Sequence, residues 1–217
     1  MNLDLHVHSM YSYDGYLRPE HLIKIARKRH LDGIAVTDHN TVKGGLRTRA
    51  IAPEGFTVIP GAEIKTEKGE VIGLFVAEEI RSRIFEDVRQ EILDQGGAVV
   101  LPHPYRNKKY NPESLIGSVD IVEAVNARTS GPLNEKARIL ARKYSKPIIG
   151  GSDAHNRLEI GRVYTMIPGN TLSDKNDIFR EGIEIVGSEF PKPVRLLGSC
   201  IGKIIKEGRI FRPLPRD

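Results

Sequence analysis

Four short apolar runs each hand over directly to histidine or to paired acid and histidine, and this pattern constrains the chain more than any other feature. Leu3, Leu5 and Val7 alternate with Asp4, His6 and His8, so an extended strand places both imidazoles on one face. Residues 33–37 run into Asp38-His39, residues 98–102 into His103, and residues 147–151 into Ser152-Asp153-Ala154-His155. Strands that end repeatedly in imidazoles and carboxylates describe one face of a sheet or barrel built to hold metal ions. The spacing predicts a metalloenzyme.

The elements between these clusters alternate. Helices are predicted from Pro19, over 84–95 and over 132–144, and further strands at 56–59, 71–77, 121–125, 164–167 and 183–186, with a closing helix over 194–206. Alternation with polar residues at strand ends argues for a parallel α/β sheet or barrel with its active site at that end. No linker splits the 217 residues, which predicts one domain over 1–217 with a basic C-terminal segment, 188–217, packed on it or extending from it.

Composition narrows the setting. Hydrophobic content of 39% with 28% charged residues is that of a globular protein, and no apolar stretch reaches membrane-spanning length. The opening strand leaves no room for a signal peptide, and one cysteine, Cys200, excludes an intrachain disulfide, so a cytoplasmic protein is expected. The net charge of +5 favours anionic substrates without demanding nucleic acid.

Four ordered motifs, His6-Val7-His8-Ser9 with Asp14-Gly15, Thr37-Asp38-His39-Asn40, Leu101-Pro102-His103-Pro104 and Gly151-Ser152-Asp153-Ala154-His155, together with Glu63 in Gly61-Ala62-Glu63-Ile64, resemble the polymerase-and-histidinol-phosphatase (PHP) superfamily of metal-dependent phosphoesterases. The resemblance spans about residues 2–167. It implies a distorted seven-stranded (β/α) barrel of TIM-like type with two or three divalent ions. His6, His8, Glu63 and Asp153 would hold one ion, Glu63 would bridge to a second that also takes His103, and Asp14, His39 and His155 would hold the third. Mixed imidazole and carboxylate ligands suit manganese, iron or zinc better than magnesium, which remains possible. The chain departs from many small relatives at Glu70, where they carry a histidine; Glu70 is a candidate oxygen ligand for the second ion.

The candidate catalytic set is therefore His6, His8, Glu63, His103, Asp153 and Arg128. Arg106 and Arg128 sit where a substrate phosphate could be gripped, because guanidinium matches phosphate geometry bidentately. Asp4 and Asp38 flank ligands and could orient imidazoles, and Asp38 could equally cap or staple its loop. His21, His30, Lys108 and Lys109 read as surface residues. The implied activity is hydrolysis of phosphomonoesters, of a small molecule or a nucleic-acid end, by a metal-activated water. The alternatives are an exonuclease and a non-catalytic RNA-binding subunit like the barrel proteins of RNase P. The latter are expected to lack the full ligand set.

Overall fold

The computed structural model describes residues 1–172 and 174–191, and the predicted helix over 194–206, Cys200 and most of the basic segment lie outside them. One sheet of nine strands organises the chain, in the order β7-β6-β5-β4-β3-β2-β1-β8-β9. These are β1 (Asn2–Val7), β2 (Gly33–His39), β3 (Thr57–Thr66), β4 (Gly69–Leu74), β5 (Ala98–Leu101), β6 (Ile121–Asn126), β7 (Ile148–Gly151), β8 (Val163–Met166) and β9 (Glu184–Gly187). The first seven curl into a nearly closed barrel. Its seam lies between β1 and the segment after β7, where Val7 bridges Ala154 and the His8 amide donates to the Ala154 carbonyl at 2.8 Å. Strands β8 and β9 continue antiparallel from the far edge of β1.

The expected all-parallel arrangement fails at β4, which runs antiparallel to both β3 and β5. The reason is local. Only a turn through Glu67 and Lys68 separates β3 from β4, too short for the crossover that a parallel neighbour requires.

Helices α1 (Pro19–Lys28), α2 (Lys43–Ala50), α3 (Phe85–Asp94) and α4 (Gly131–Lys143) pack outside the barrel. Pro19 opens α1 at a position where its missing N–H costs nothing, Glu20 and the pair Arg27 and Lys28 complement the helix dipole, and Leu22, Ile23 and Ala26 form the buried stripe. Helix α2 has no comparable stripe in sequence, and the sequence reading misses it. Its Gly44 and Gly45 are buried because the helix lies directly on β2 and β3.

Leu3, Leu5, Ala35, Ile59, Ile72, Leu74, Ala98, Val100, Ile121 and Ile149 fill the barrel interior. Val7, Ile34, Val36 and Val58 face outward against Leu22, Ile23 and Ala26 of α1. Leu5 thus points inward and Val7 outward, although a regular strand would keep them on one face. A register irregularity between Asp4 and Val7 makes the switch. It is the bulge that turns His6 and His8 into the barrel mouth.

Candidate metal centre

Strand ends deliver most of the candidate side chains. His6 lies in the irregular stretch of β1 and His8 just past its end, His39 ends β2, Glu63 lies within β3, His103 follows β5, and Asp153 and His155 follow β7. His39 and Glu63 face each other in the β2–β3 register, which leaves His39 Nδ1 3.0 Å from Glu63 Oε2. His103 and Asp153 have φ values of 29° and 54°, in the left-handed region that is uncommon outside glycine but that Asp and His enter more readily than most residues. These turns aim both side chains across the mouth.

The side chains converge in three overlapping groups whose ligand atoms lie within 4.8 Å of one another: His6, His8 and Asp153; His6, Glu63 and His103; and His8, His39 and His155. Asp14 joins the third group, with Oδ2 3.0 Å from His155 Nε2 and Oδ1 3.6 Å from His39 Nε2. Glu63 Oε1 lies 2.9 Å from His103 Nε2, while Oε2 lies 3.6 Å and 3.5 Å from the Nε2 atoms of His6 and His8. Glu63, a member of the second group, thus also lies within 3.6 Å of a histidine in each of the other two.

Tautomers can be assigned at two rings. Ser12 Oγ donates to Asp38 Oδ1 at 2.9 Å, so at 3.0 Å it accepts from His8 Nδ1. His6 Nδ1 donates to Glu123 Oε1 at 3.0 Å. Both rings then present a lone pair at Nε2, and these two atoms are 3.0 Å apart. Two lone pairs at that distance call for a positive charge between them, a proton or a metal ion. Burial disfavours charge on His6, but Glu123, Asp153 and Glu63 outweigh it and raise that ring well above its ordinary value, so a metal here displaces a proton. Three buried carboxylate oxygens, Asp14 Oδ1, Glu63 Oε2 and Asp153 Oδ1, point into the same space without a hydrogen bond. Buried acceptors left in this way are costly. The donor set fits divalent ions with mixed nitrogen and oxygen ligands.

The electrostatics agree. Burial opposes ionisation of Glu63 and Asp153, yet the imidazoles around them, and Arg106 beside Asp153, hold both carboxyls well below their ordinary range. Burial and the neighbouring His155 and His39 push His8 down, toward the neutral form that binds metal. Burial also disfavours charge on His39, but Asp14 and Glu63 outweigh it and raise that ring to about 10.

The remaining candidates take different places. Arg106 reaches Asp153 Oδ2 and lies 2.6 Å from His103 Nε2; Arg128 lies against His155. Both line a cleft of about 230 Å³ over Asp14, His39, Asp153 and His155. Glu70 lines it too, but its carboxylate is 4.0 Å from His103 Nδ1, on the ring edge away from Glu63, and it belongs to none of the three groups. His21, His30, Lys108 and Lys109 are exposed.

Asp4 and Asp38 do not touch imidazoles. Asp4 accepts from Ser152 and from the Gly161 amide, and Asp38 accepts from Ser9 and reaches His8 only through Ser12. The carboxylate that does orient an imidazole is Glu123, which sequence reasoning missed. It binds His6 Nδ1, the His103 amide and Asn126 Nδ2. The signal was a single glutamate inside the otherwise apolar run Ile121–Val125.

A barrel whose strand ends carry this His/Asp/Glu cluster defines a metal-binding α/β protein. A PHP-associated family model matches residues 131–181. An uncharacterized protein of Methanocaldococcus jannaschii is 33% identical over 82% of this chain and 75% of its own length; a second from the same organism is 38% identical over 48% of this chain and 68% of its own. The fold is similar to a two-domain protein from Bacteroides vulgatus containing a predicted PHP-like metal-dependent phosphoesterase, with a TM-score of 0.74, 20% identity, and coverage of 93% of this chain and 69% of that one. The chain thus carries a PHP-associated segment and has the fold of a PHP-like neighbour. Among the described residues, no helix is long and apolar enough to cross a membrane.

Proposed function

We propose that this protein is a metal-dependent phosphomonoesterase acting on small phosphorylated molecules or phosphorylated nucleic-acid ends. The observation that carries the reading is the meeting of three ligand groups, with unsatisfied buried carboxylate oxygens, beneath a cleft flanked by Arg106 and Arg128. His6, His8, Glu63 and Asp153 would hold one ion, Glu63 would be shared with a second at His103, and His39, His155 and Asp14 would hold a third. Manganese, iron or zinc suits these donors. Bound ions would supply Lewis acidity toward phosphoryl oxygens and a water acidified to near neutrality.

The chain's own residues do the rest. Glu123 and Ser12 fix the ring orientation of His6 and His8, each leaving Nε2 for the ion. Arg106 and Arg128 would receive the non-bridging phosphate oxygens and hold phosphorus over the centre. A scaffold that merely binds RNA has no need of so complete a buried ligand set.

The test is a panel of phosphate esters assayed with Mn²⁺, Mg²⁺, Zn²⁺ and Fe²⁺. Chelation should abolish activity, and His8→Ala or Asp153→Ala should each lower it by orders of magnitude. Full activity after exhaustive chelation contradicts the reading. Tyr13, which lines the cleft, is exposed, so the cleft stands open and selectivity among chemically unrelated phosphomonoesters should stay below roughly a thousandfold.

A further inference from the structure

Tyr13 is the most exposed tyrosine or phenylalanine among the described residues, at 62%, yet it stands at the rim of the cleft over the ligand groups. One face of its ring is covered. It stacks on His39 with ring centroids 4.7 Å apart and an interplanar angle of 19°.

The loop that carries it is pinned on both sides. On one side Ser12 is buried, bonded to His8 Nδ1 and Asp38 and accepting from the His39 amide. On the other, Asp14 pairs with His155, and Gly15 approaches the Ser9 carbonyl so closely that a Cβ there would stand 2.0 Å from its oxygen. A ring held flat on a fixed imidazole, with its outer face open, is a preorganised stacking surface. Ordering it on ligand binding costs little entropy. It borders the same cleft as the two arginines.

We infer that Tyr13 selects phosphomonoesters whose leaving group carries a planar aromatic ring, which stacks on its outer face while the phosphate lies between Arg106 and Arg128. The inference rests on the phosphomonoesterase reading and adds a substrate class to it. An aromatic contact of this kind contributes a preference of roughly threefold to tenfold, so it is compatible with an open cleft that still turns over other esters.

The experiment compares two pairs of esters on the manganese-loaded full chain and its Tyr13→Phe and Tyr13→Leu variants: adenosine 5′-phosphate against ribose 5-phosphate, and phenyl phosphate against cyclohexyl phosphate. The readout is the ratio of kcat/KM within a pair, in which intrinsic reactivity and any general loss of activity cancel between variants. In at least one pair, Tyr13→Leu should lower the aromatic preference by about threefold to tenfold, and Tyr13→Phe should keep it. Ratios unchanged in Tyr13→Leu for both pairs overturn the inference and leave Tyr13 as a cover over His39. Calorimetric binding of adenosine 5′-phosphate and ribose 5-phosphate to the same variants separates the two readings. If no ester is hydrolysed but the binding preference still falls in Tyr13→Leu, the phosphomonoesterase reading fails while the stacking surface stands.

Discussion

Glu123 holds His6 from behind, its Oε1 accepting from Nδ1 at 3.0 Å while Oε2 accepts from the His103 amide. One carboxylate thereby positions the imidazole shared by two ligand groups and the turn that delivers a third ligand. Its neutral, isosteric replacement Glu123→Gln should lower metal affinity by about 10- to 100-fold while leaving the fold intact, as measured by metal titration and circular dichroism. Undiminished affinity would show that packing alone orients His6.

His39 gives metal binding a pH dependence of defined sign. In the metal-free protein its ring is raised from an ordinary value near 6.5 to about 10, so at neutral pH it carries a proton that an ion must displace. The carboxylates of Asp14, Glu63 and Asp153 are held below their ordinary ranges and remain ionised throughout this window. Affinity should therefore rise with pH between 6.5 and 10, by about tenfold per unit for each proton displaced. Titrations in buffers of different ionisation enthalpy would measure the proton release directly; none would contradict the ligand role of His39.

Gly44 tests how the outer helix supports the centre. A Cβ there would stand 1.8 Å from Asp38 Oδ2 and 2.3 Å from Ser9 Oγ. Gly44→Ala should displace the carboxylate that steadies Ser12 and, through it, His8. We expect a loss of roughly 1–3 kcal/mol in urea denaturation, together with weaker metal binding. An alanine accepted without cost would mean that α2 can shift away from β2.

Glu70 faces His103 Nδ1 at 4.0 Å from outside the three groups. Removing it by Glu70→Ala should leave the number of ions bound per chain unchanged. A loss of one ion, restored by Glu70→His, would instead make it a ligand of the second site. Elemental analysis of the purified variants distinguishes the two.

Much of this centre was legible because its histidines follow apolar runs, and strand ends gather at one face of a barrel. His6, His8, His39, His103 and His155 come together as their positions predict. What the periodicity hides is pairwise geometry. The alternation of Leu3, Leu5 and Val7 reads as one face, but the bulge in β1 sends Val7 to α1. The direction of β4 depends on a turn too short for a crossover. Glu123 is a single acid in an apolar run, and its role depends on β6 lying across the mouth from β1. Asp4 and Asp38 sit beside ligands in sequence, yet their partners are serines and backbone amides. Proximity in sequence does not tell an imidazole partner from a loop staple, and Asp38 is the latter.

The most direct test of the central claim is to strip the full chain of metal, titrate it with Mn²⁺, and follow ion stoichiometry and hydrolysis of a phosphomonoester in the same samples. Activity should be absent without metal and should appear as two to three ions bind per chain, with Asp153→Ala losing both. Hydrolysis by the metal-free protein, or stoichiometric binding that never brings hydrolysis of any ester in the panel, would contradict it.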